Sequence, residues 1–197
     1  MKNHPVPTDP ERPALRQDAI LDAAFAAFSN YGYRRTAMED IARSVGISRS
    51  ALYLHFRNKE DIFKSLAARY FDEAAINVAA ELARQGQSAA ETLTRAFHAY
   101  DGKFMEVVLG TPHGAEMLEA GHMISADLVI AGEARIHKLL EDWFTAQALP
   151  PALGTAHALA ATVLSALKGL KQTAKTPESY RASQAQLAQV LALALGR

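Results

Sequence analysis

The stretch from residue 36 to residue 59, read TAMEDIARSVGISRSALYLHFRNK, most constrains what this chain can fold into. Its apolar positions are spaced for two short helices rather than for one long helix; they are Ile41, Val45, Ile47 and Leu52. Gly46 stands between the two helices, where a residue that takes a positive φ permits a tight turn. The pattern therefore predicts a helix-turn-helix unit.

Capping signals mark where these short helices begin. Thr36 and Glu39 have the spacing of a capping box, so we expect the second helix of the chain to begin at Thr36. Ser48 predicts the start of a third helix, which runs to about His55. An amphipathic first helix from Ala14 to Tyr31 precedes both of them and supports them.

The remaining sequence favours an all-α protein with about nine helices, because alanine and leucine dominate and long alternating β-branched runs are absent. The later helices are predicted at residues 58–84, 88–109, 115–120, 125–149, 152–173 and 178–195. We expect three parts: a flexible arm over residues 1–13, a helix-turn-helix domain over residues 14–58, and a helical effector-binding and dimerisation domain over residues 59–197.

Charge is distributed unevenly along a chain whose net charge is zero. Residues 12–71 hold ten Lys and Arg against six Asp and Glu, a balance of +4, whereas residues 72–197 hold ten against thirteen, a balance of −3. The basic part coincides with the helix-turn-helix. A module that faces phosphates, attached to a neutral or acidic body, has this asymmetry.

Several classes of protein are disfavoured by the composition. The chain has no cysteine, so it has neither disulfides nor thiolate metal sites. Residues 143–167 lack charged side chains, but Pro150 and Pro151 divide them, and the uninterrupted part is shorter than the roughly 20 residues that a membrane span requires. The start of the chain lacks the apolar core of a signal peptide, and we expect a cytoplasmic protein.

The run GISRSALYLHFRNKEDIF closely resembles the DNA-binding domain of TetR/AcrR-family transcriptional regulators. A Thr-capped helix containing IA and a first helix ending in YGY precede it at the usual distance, so the resemblance covers about residues 14–66. It implies a homodimer that binds a palindromic operator in double-stranded DNA, usually as a repressor that a small-molecule effector releases. An activator or a ligand-independent regulator is the alternative within the family.

The resemblance also implies a set of DNA-contacting side chains: Arg35, Thr36, Ser48, Arg49, Ser50, Tyr53, His55 and Lys59. Thr36 and Lys59 are expected to bind backbone phosphates. Ser48, with the residues that follow it in the third helix, is expected to form the recognition surface. For Arg49 two interpretations stay open, a bidentate contact to guanine or a phosphate contact.

Aromatic and methionine side chains in the middle helices are candidates for the wall of an effector pocket. They are Phe97, Tyr100, Phe104, Met105, Met117, Met123, Trp143 and Phe144. Ordinary core packing is the alternative for each of them. Breaks expected around Gly110, Gly114 and Gly121 would let a short helix between them move and change the separation of the two DNA-reading units.

The last two helices are the predicted dimer interface, because they carry more apolar surface than one helical pair hides. The candidate interface residues are Leu153, His157, Leu164, Leu167, Leu187, Val190 and Leu191. Packed against their symmetry mates they would form a four-helix bundle. Burial of one face within the monomer is the alternative.

Other functions receive less support. His113, Glu116, Glu119 and His122 suggest a metal site, but their spacing rotates them around a helix, and a solvated polar face is the expected outcome. Signatures of catalysis such as a nucleophile elbow, a phosphate-cradling loop or an HExxH pair are absent, so we expect neither an enzyme nor a cofactor. The acidic remainder argues against a non-specific architectural DNA binder.

Overall fold

The computed structural model describes the backbone of residues 11–196 and the side chains of residues 16–196. Its α-helices are α1 Glu11–Tyr31, α2 Met38–Val45, α3 Arg49–Tyr53, α4 Lys59–Leu82, α5 Ala89–Phe97, α6 Lys103–Gly110, α7 Gly114–Ile124, α8 Ala126–Thr145, α9 Ala156–Thr173 and α10 Pro177–Ala194. A π-helical turn, His98–Gly102, joins α5 to α6. The all-α prediction is confirmed, and so is the expected number, since the described chain has nine helices when α5 and α6 count as one segment.

The N-terminal part folds around its own core, which we call the head core. Helices α1 to α3 and the first turns of α4 supply it, with Ile20, Phe28, Ile41, Leu52 and Phe63 among its buried side chains. Gly46 forms the turn between α2 and α3 with a φ of 72°, as the sequence predicted. Met117 and Ala120 of α7 complete this core, so α7 is docked against the head.

A second core, the body core, lies among α4, α5, α8, α9 and α10. Its buried residues include Phe97, Leu140, Phe144 and Leu167. Helix α4 contributes to both cores, with Phe63 in the head core and Phe71 in the body core. A helix that is packed at both ends in this way connects the two regions mechanically.

The start of α1 and the start of α2 differ from the sequence-based expectations. Helix α1 begins at Glu11, so residues 11–13 belong to a helix rather than to an arm; the rest of the predicted arm lies outside the described residues. Helix α2 begins at Met38 instead of Thr36, with Ala37 as its N-cap. The carboxylate of Asp40 accepts a hydrogen bond of 3.0 Å from the Ala37 amide, a role that the sequence analysis gave to Glu39.

Later boundaries also shift. Helix α3 ends at Tyr53, and α7 continues through Gly121, where a break was predicted, to Ile124. A glycine inside a helix is tolerated when the neighbouring turns are packed. Met117 and Ala120, which precede Gly121 in α7, are packed in the head core. The uncharged stretch at residues 143–167 is divided by the end of α8 and by a 3₁₀ turn at Pro151–Leu153. Within the described residues, no helix has both the length and the apolar character needed to cross a membrane.

The predicted helix over residues 88–109 is interrupted by the π turn, which the sequence did not indicate. Side chains from other helices bind carbonyl groups at this turn. Gln184 of α10 donates to the Phe97 carbonyl at 3.0 Å, and the Tyr70 hydroxyl of α4 donates to the Tyr100 carbonyl at 3.0 Å. Since these partners are distant in the chain, the local sequence of the segment carries no signal for the turn.

Candidate nucleic-acid interface and effector cavity

Helix α3 presents its polar face to solvent because one leucine anchors the opposite face. Leu52 is fully buried in the head core. Ser48 caps the helix as predicted, since its Oγ accepts a hydrogen bond of 3.1 Å from the Ala51 amide. Arg49, Ser50 and Tyr53 are left exposed. Ser50 also contacts the Ser48 hydroxyl, at 2.9 Å between the two oxygens.

Arg49 links α3 to α2. Its guanidinium pairs with the carboxylate of Glu39 and donates to the Tyr53 hydroxyl at 3.4 Å, with the ring centroid 5.5 Å away. The hydrogen bond to Tyr53 and the charge of Glu39 raise the pKa of Arg49. Arg49 therefore carries a permanent positive charge on the exposed face of α3, where it is paired with the carboxylate of Glu39.

Lys59 does not face solvent in the manner predicted for a phosphate contact. Its ammonium donates to three backbone carbonyls, those of Tyr33 at 2.6 Å, Arg34 at 3.2 Å and Thr36 at 2.9 Å. It also lies 4.5 Å from the centre of the Tyr33 ring. Burial lowers the pKa of Lys59, although the charge of Glu116 opposes this effect. Because an ammonium has three donors, this set of acceptors uses all of them.

Thr36 is likewise engaged within the protein. The residue is only 3% exposed, and its hydroxyl donates to the Gly32 carbonyl at 2.8 Å, at the end of α1. The phosphate contacts expected for Thr36 and Lys59 stay predictions, and the structure shows that both side chains also have partners within the protein. Together the two side chains fix the connection between α1 and α2, which sets where α2 begins.

Other exposed cations lie near α3 in the sequence. Arg35 is exposed, and no ion pair joins its side chain to another of the described residues. Arg43 and Arg57, which the sequence-based set of DNA contacts did not include, are also exposed and pair with Asp40 at 3.6 Å and with Asp61 at 2.9 Å. Both belong to the basic region between residues 12 and 71, which was the signal in the sequence. Two further side chains stand at the end of α3, where Leu54 is 86% exposed and the predicted contact His55 is half-buried.

A cavity of about 660 Å³ lies where the head meets the body. Its wall is mostly apolar and comes from α1, α4, α6, α7, α8 and α9; it includes Phe25, Leu66, Tyr70, Phe104, Met117 and Val129. This size and this lining are typical of sites for small organic molecules.

Three of the eight candidate pocket residues border this cavity and five do not. Tyr100, Phe104 and Met117 line it. The other five lie elsewhere, and their assignment is corrected: Phe97, Trp143 and Phe144 belong to the body core, Met105 to a small cluster with Tyr180, and Met123 to the surface, with 78% exposure. Helical spacing identifies the inward face of a helix, but it does not tell which inward positions border a void.

Lys171, one of several charged residues in the cavity wall, belongs to an ion pair that the sequence did not reveal. The ammonium of Lys171 lies 2.9 Å from the carboxylate of Asp101 and 4.4 Å from the centre of the Tyr100 ring. Gln184 donates to the other carboxylate oxygen of Asp101 at 2.8 Å. Burial by itself would lower the pKa of Lys171, but the charge of Asp101, assisted by Tyr100, outweighs it and the pKa is raised. Asp101 is 1% exposed, so this ion pair is an internal one.

Helix α7 touches both the cavity and the head. Met117 lines the cavity and belongs to the head core. The Glu116 carboxylate accepts a hydrogen bond of 2.8 Å from the Arg34 amide, and the His113 amide donates to the Ser29 carbonyl at 3.1 Å. The carbonyl of Arg34 is also one that Lys59 binds. Displacement of α7 would therefore act directly on the connection between α1 and α2.

The four residues considered as a metal site, His113 before α7 and three residues within it, do not converge. Glu116 binds the head, with the His113 ring 3.7 Å from its carboxylate, while the His122 ring contacts the Leu118 carbonyl at 2.8 Å and Glu119 is exposed. Only His113 and Glu116 are close to each other, because successive steps of three residues rotate around the helix.

The surface of α9 and α10 differs from the predicted dimer interface. Leu164, Leu167 and Leu191 are buried in the body core and are corrected to monomer core residues. Leu153 and Leu187 are partly buried against the same core, whereas His157 and Val190 are exposed. The outer face carries mainly small or uncharged residues, among them Ala158, Ala161, Ser165, Gly169, Ala182, Ala185 and Leu193. We call this the outer α9–α10 face.

Comparison with known proteins gives matches over both regions. A family model described as "Bacterial regulatory proteins, tetR family" matches residues 20–66. The HTH-type transcriptional repressor ComR of Escherichia coli K12 is 32% identical over 111 residues, which cover 56% of this chain and 52% of ComR. The negative transcriptional regulator IcaR of the icaADBC biofilm operon in Staphylococcus epidermidis is 39% identical over 56 residues, 28% of this chain and 30% of IcaR. The chain thus spans about half of ComR and less than a third of IcaR.

Solved structures match over most of the chain at low sequence identity. The TetR-family regulator PfmR of Thermus thermophilus is 21% identical with a TM-score of 0.67, and the alignment covers 89% of this chain and 94% of PfmR. A TetR transcriptional regulator of Legionella pneumophila is 17% identical with a TM-score of 0.68, covering 89% and 96% respectively. These likenesses establish that the body as well as the head has the same fold as these solved structures.

Proposed function

We propose that the chain is a regulator of the TetR family, and that it is a ligand-responsive, sequence-specific DNA-binding transcriptional regulator that acts as a repressor. The observation that carries the proposal is the exposed polar face of α3, with Arg49, Ser50 and Tyr53, on a domain that the family model matches. The proposal includes no catalytic role, and it places the protein in the cytoplasm with its operator.

The first test selects genomic fragments with the purified full-length chain and then measures affinity by fluorescence anisotropy. We expect tight binding to a palindromic site and weak binding to scrambled DNA of the same length. Both affinities should fall as salt is raised, because phosphate contacts release counterions. Equal affinity for selected and scrambled DNA would contradict sequence-specific regulation.

Arg49 offers a sharper test of how α3 reads DNA. In the proposal it gives up its pairing with Glu39 when DNA binds, so Glu39→Gln should raise operator affinity by about two- to fivefold, the range expected for one exposed ion pair. Arg49→Ala should lower it. If Arg49 contacts a guanine, Arg49→Ala loses discrimination at one base position, whereas a phosphate contact weakens binding equally on every sequence.

The proposed effector is a small molecule with an apolar body and a polar group that reaches Lys171. The mostly apolar wall and the Lys171–Asp101 pair in one corner support this description. Binding would displace α7, and through Glu116 and the Arg34 amide it would move the connection between α1 and α2. We expect release of operator DNA.

Compounds that raise the melting temperature of the protein should next be tested for release of operator DNA. The control is Val129→Trp, whose larger side chain fills part of the cavity. That variant should bind operator normally and ignore the compound. A compound that tightens DNA binding instead would favour the ligand-activated alternative, and a chain whose DNA binding no cavity ligand alters would favour the ligand-independent one.

Dimerisation is proposed to use the outer α9–α10 face. Small side chains there allow two helix pairs to approach closely around a two-fold axis. Ala161→Arg, at the exposed centre of α9, should convert the dimer to a monomer in analytical ultracentrifugation. Ala131→Arg introduces the same charge at an exposed position of α8 and should leave the dimer intact. Monomeric wild-type protein would contradict this assignment.

A further inference from the structure

Two histidines and a glutamate meet where α8 faces the beginning of α9. His137 and Glu141 are one turn apart on α8, and His157 is the second residue of α9. One ring nitrogen of each histidine and one oxygen of the glutamate lie within 4.8 Å of one another. The two rings are neighbours, with centroids 4.5 Å apart and planes inclined at 68°. No part of the proposed DNA or effector site uses these residues.

A backbone contact defines which nitrogen of His137 is available. Its Nε2 lies 3.1 Å from the carbonyl oxygen of His157. Because a carbonyl can only accept, Nε2 carries the hydrogen, and in the neutral ring Nδ1 keeps its lone pair. Histidine ligands of metal ions are commonly oriented in this way, by a hydrogen bond from the other ring nitrogen.

The lone pair of His137 Nδ1 faces a carboxylate. Glu141 Oε2 lies 3.7 Å from His137 Nδ1 and 3.3 Å from His157 Nδ1. Ligand atoms bound to one tetrahedral zinc ion at about 2.0 to 2.1 Å are separated by roughly 3.3 Å, so these gaps fit a shared ion. A cation between the three atoms would replace the hydrogen bond between His157 and Glu141, and it would relieve the repulsion between the lone pair of His137 Nδ1 and the carboxylate.

We propose that His137, Glu141 and His157 bind one divalent transition-metal ion per chain. Zn²⁺ represents this class of ion in the experiments below. Two imidazoles and one carboxylate suit such ions, whereas Mg²⁺ and Ca²⁺ prefer all-oxygen sites. The His157 side chain is 70% exposed, so the ion can enter from solvent and keep a water as its fourth ligand.

The site is separate from the effector cavity. Glu133 and Lys168, which pair at 2.6 Å, line the cavity at its α8–α9 side. Glu141 lies eight residues further along α8, about 12 Å for a helix with a rise of 1.5 Å per residue. Metal binding would tie the beginning of α9 to α8 without occupying the cavity, and its test does not depend on DNA binding.

The test is isothermal titration of the tag-free, full-length chain with ZnCl₂ after dialysis against a chelator. We expect one ion per chain for the wild type, and an affinity at least about tenfold weaker for His157→Ala and for Glu141→Gln. Mg²⁺ at the same concentrations should give no binding. His113→Ala is the matched control, because the His113–Glu116 pair has the same 3.7 Å separation but lacks a second histidine.

A second measurement follows the melting temperature, which zinc should raise for the wild type and for His113→Ala but not for His157→Ala. Ala161→Arg should bind zinc as the wild type does, because the proposed ligands lie within one chain. The assignment is overturned by the absence of zinc binding, by equal binding to the His157→Ala variant, or by half an ion per chain, which would place the metal between two copies.

Discussion

Two lysines, one in the head and one beside the cavity, are packed in similar surroundings but with different partners. Each is partly buried over a tyrosine ring, Lys59 at 4.5 Å from the Tyr33 centroid and Lys171 at 4.4 Å from the Tyr100 centroid. Lys59 donates to three neutral carbonyls, whereas Lys171 pairs with the carboxylate of Asp101. Burial lowers the pKa of Lys59, while the nearby carboxylate raises the pKa of Lys171.

The difference indicates what each region does. Carbonyl dipoles compensate a buried charge only in part, but three of them define the position of the chain around Lys59 at the place where α2 must begin. A carboxylate compensates the charge fully and can be exchanged for an anionic or polar group of a ligand. The head uses its lysine to fix a conformation, and under the proposed function the charged pair lies within reach of the effector.

The largest expected effect comes from removing the carboxylate beside Lys171. Asp101→Ala leaves the ammonium without its counter-charge and Gln184 without one of its acceptors. We expect the free energy of unfolding to fall by about 2 to 4 kcal/mol, the cost of breaking a largely buried pair. Urea denaturation monitored by circular dichroism measures it.

The control for that experiment is Glu133→Gln, which removes the carboxylate of the more exposed Lys168–Glu133 pair and should cost less than about 1 kcal/mol. The double variant Asp101→Ala with Lys171→Met should recover part of the lost stability, since the uncompensated charge is gone. Equal effects of Asp101→Ala and Glu133→Gln would show that the internal pair has no special role.

A smaller effect is expected for Lys59→Met, which removes the donors to the three carbonyls around the start of α2. The free energy of unfolding should fall by about 1 to 2 kcal/mol, and operator affinity should fall because α2 and α3 lose their fixed position. The salt dependence of DNA binding should not change. If Lys59 bound a phosphate, its removal would instead reduce the logarithmic salt slope by about 0.9.

The smallest effect is the opposite pH dependence of the two lysines. Because the pKa of Lys171 is raised above 10.5, its protonation stabilises the fold, fully below that pH, and the contribution is lost as the pH rises through the raised pKa. The pKa of Lys59 is lowered below 10.5, so its protonation opposes folding; this penalty is full below the lowered pKa, shrinks as the pH rises through it, and is gone above 10.5.

Urea denaturation between about pH 8 and pH 11 checks this pair of signs. The stability of the wild type relative to Lys171→Met should decrease with pH, while the stability relative to Lys59→Met should increase. If both stability differences changed with pH in the same direction, the surroundings of Lys59 and Lys171 would not shift the two pKa values in opposite directions.

Residues whose roles depend on near neighbours were predicted well. The turn at Gly46, the cap at Ser48 and the inward position of Leu52 all follow from spacing within a few residues, and the structure has each of them. The prediction that α2 begins at Thr36 was wrong, although Thr36 and Glu39 have the spacing of a capping box. Two acidic residues follow Thr36, and only the packing of α1 decides that its hydroxyl binds Gly32 while Asp40 caps α2.

Residues whose roles depend on distant neighbours could not be placed from the sequence. Lys171 and Asp101 are 70 positions apart, and the three candidate metal ligands lie on two helices joined by a 3₁₀ turn. Among the eight predicted pocket residues, helical periodicity could not separate Phe104, which borders the cavity, from Phe97, which fills the core.

By itself, the sequence determined the helical class, the helix-turn-helix and its exposed recognition face, because capping, turn formation and amphipathic spacing act over a few residues. Only the tertiary structure decided that Lys59 binds backbone carbonyls of the head, that α7 joins the cavity to the head, and that His137, Glu141 and His157 meet. These roles depend on contacts between distant parts of the chain, and such contacts leave no periodic pattern in the sequence.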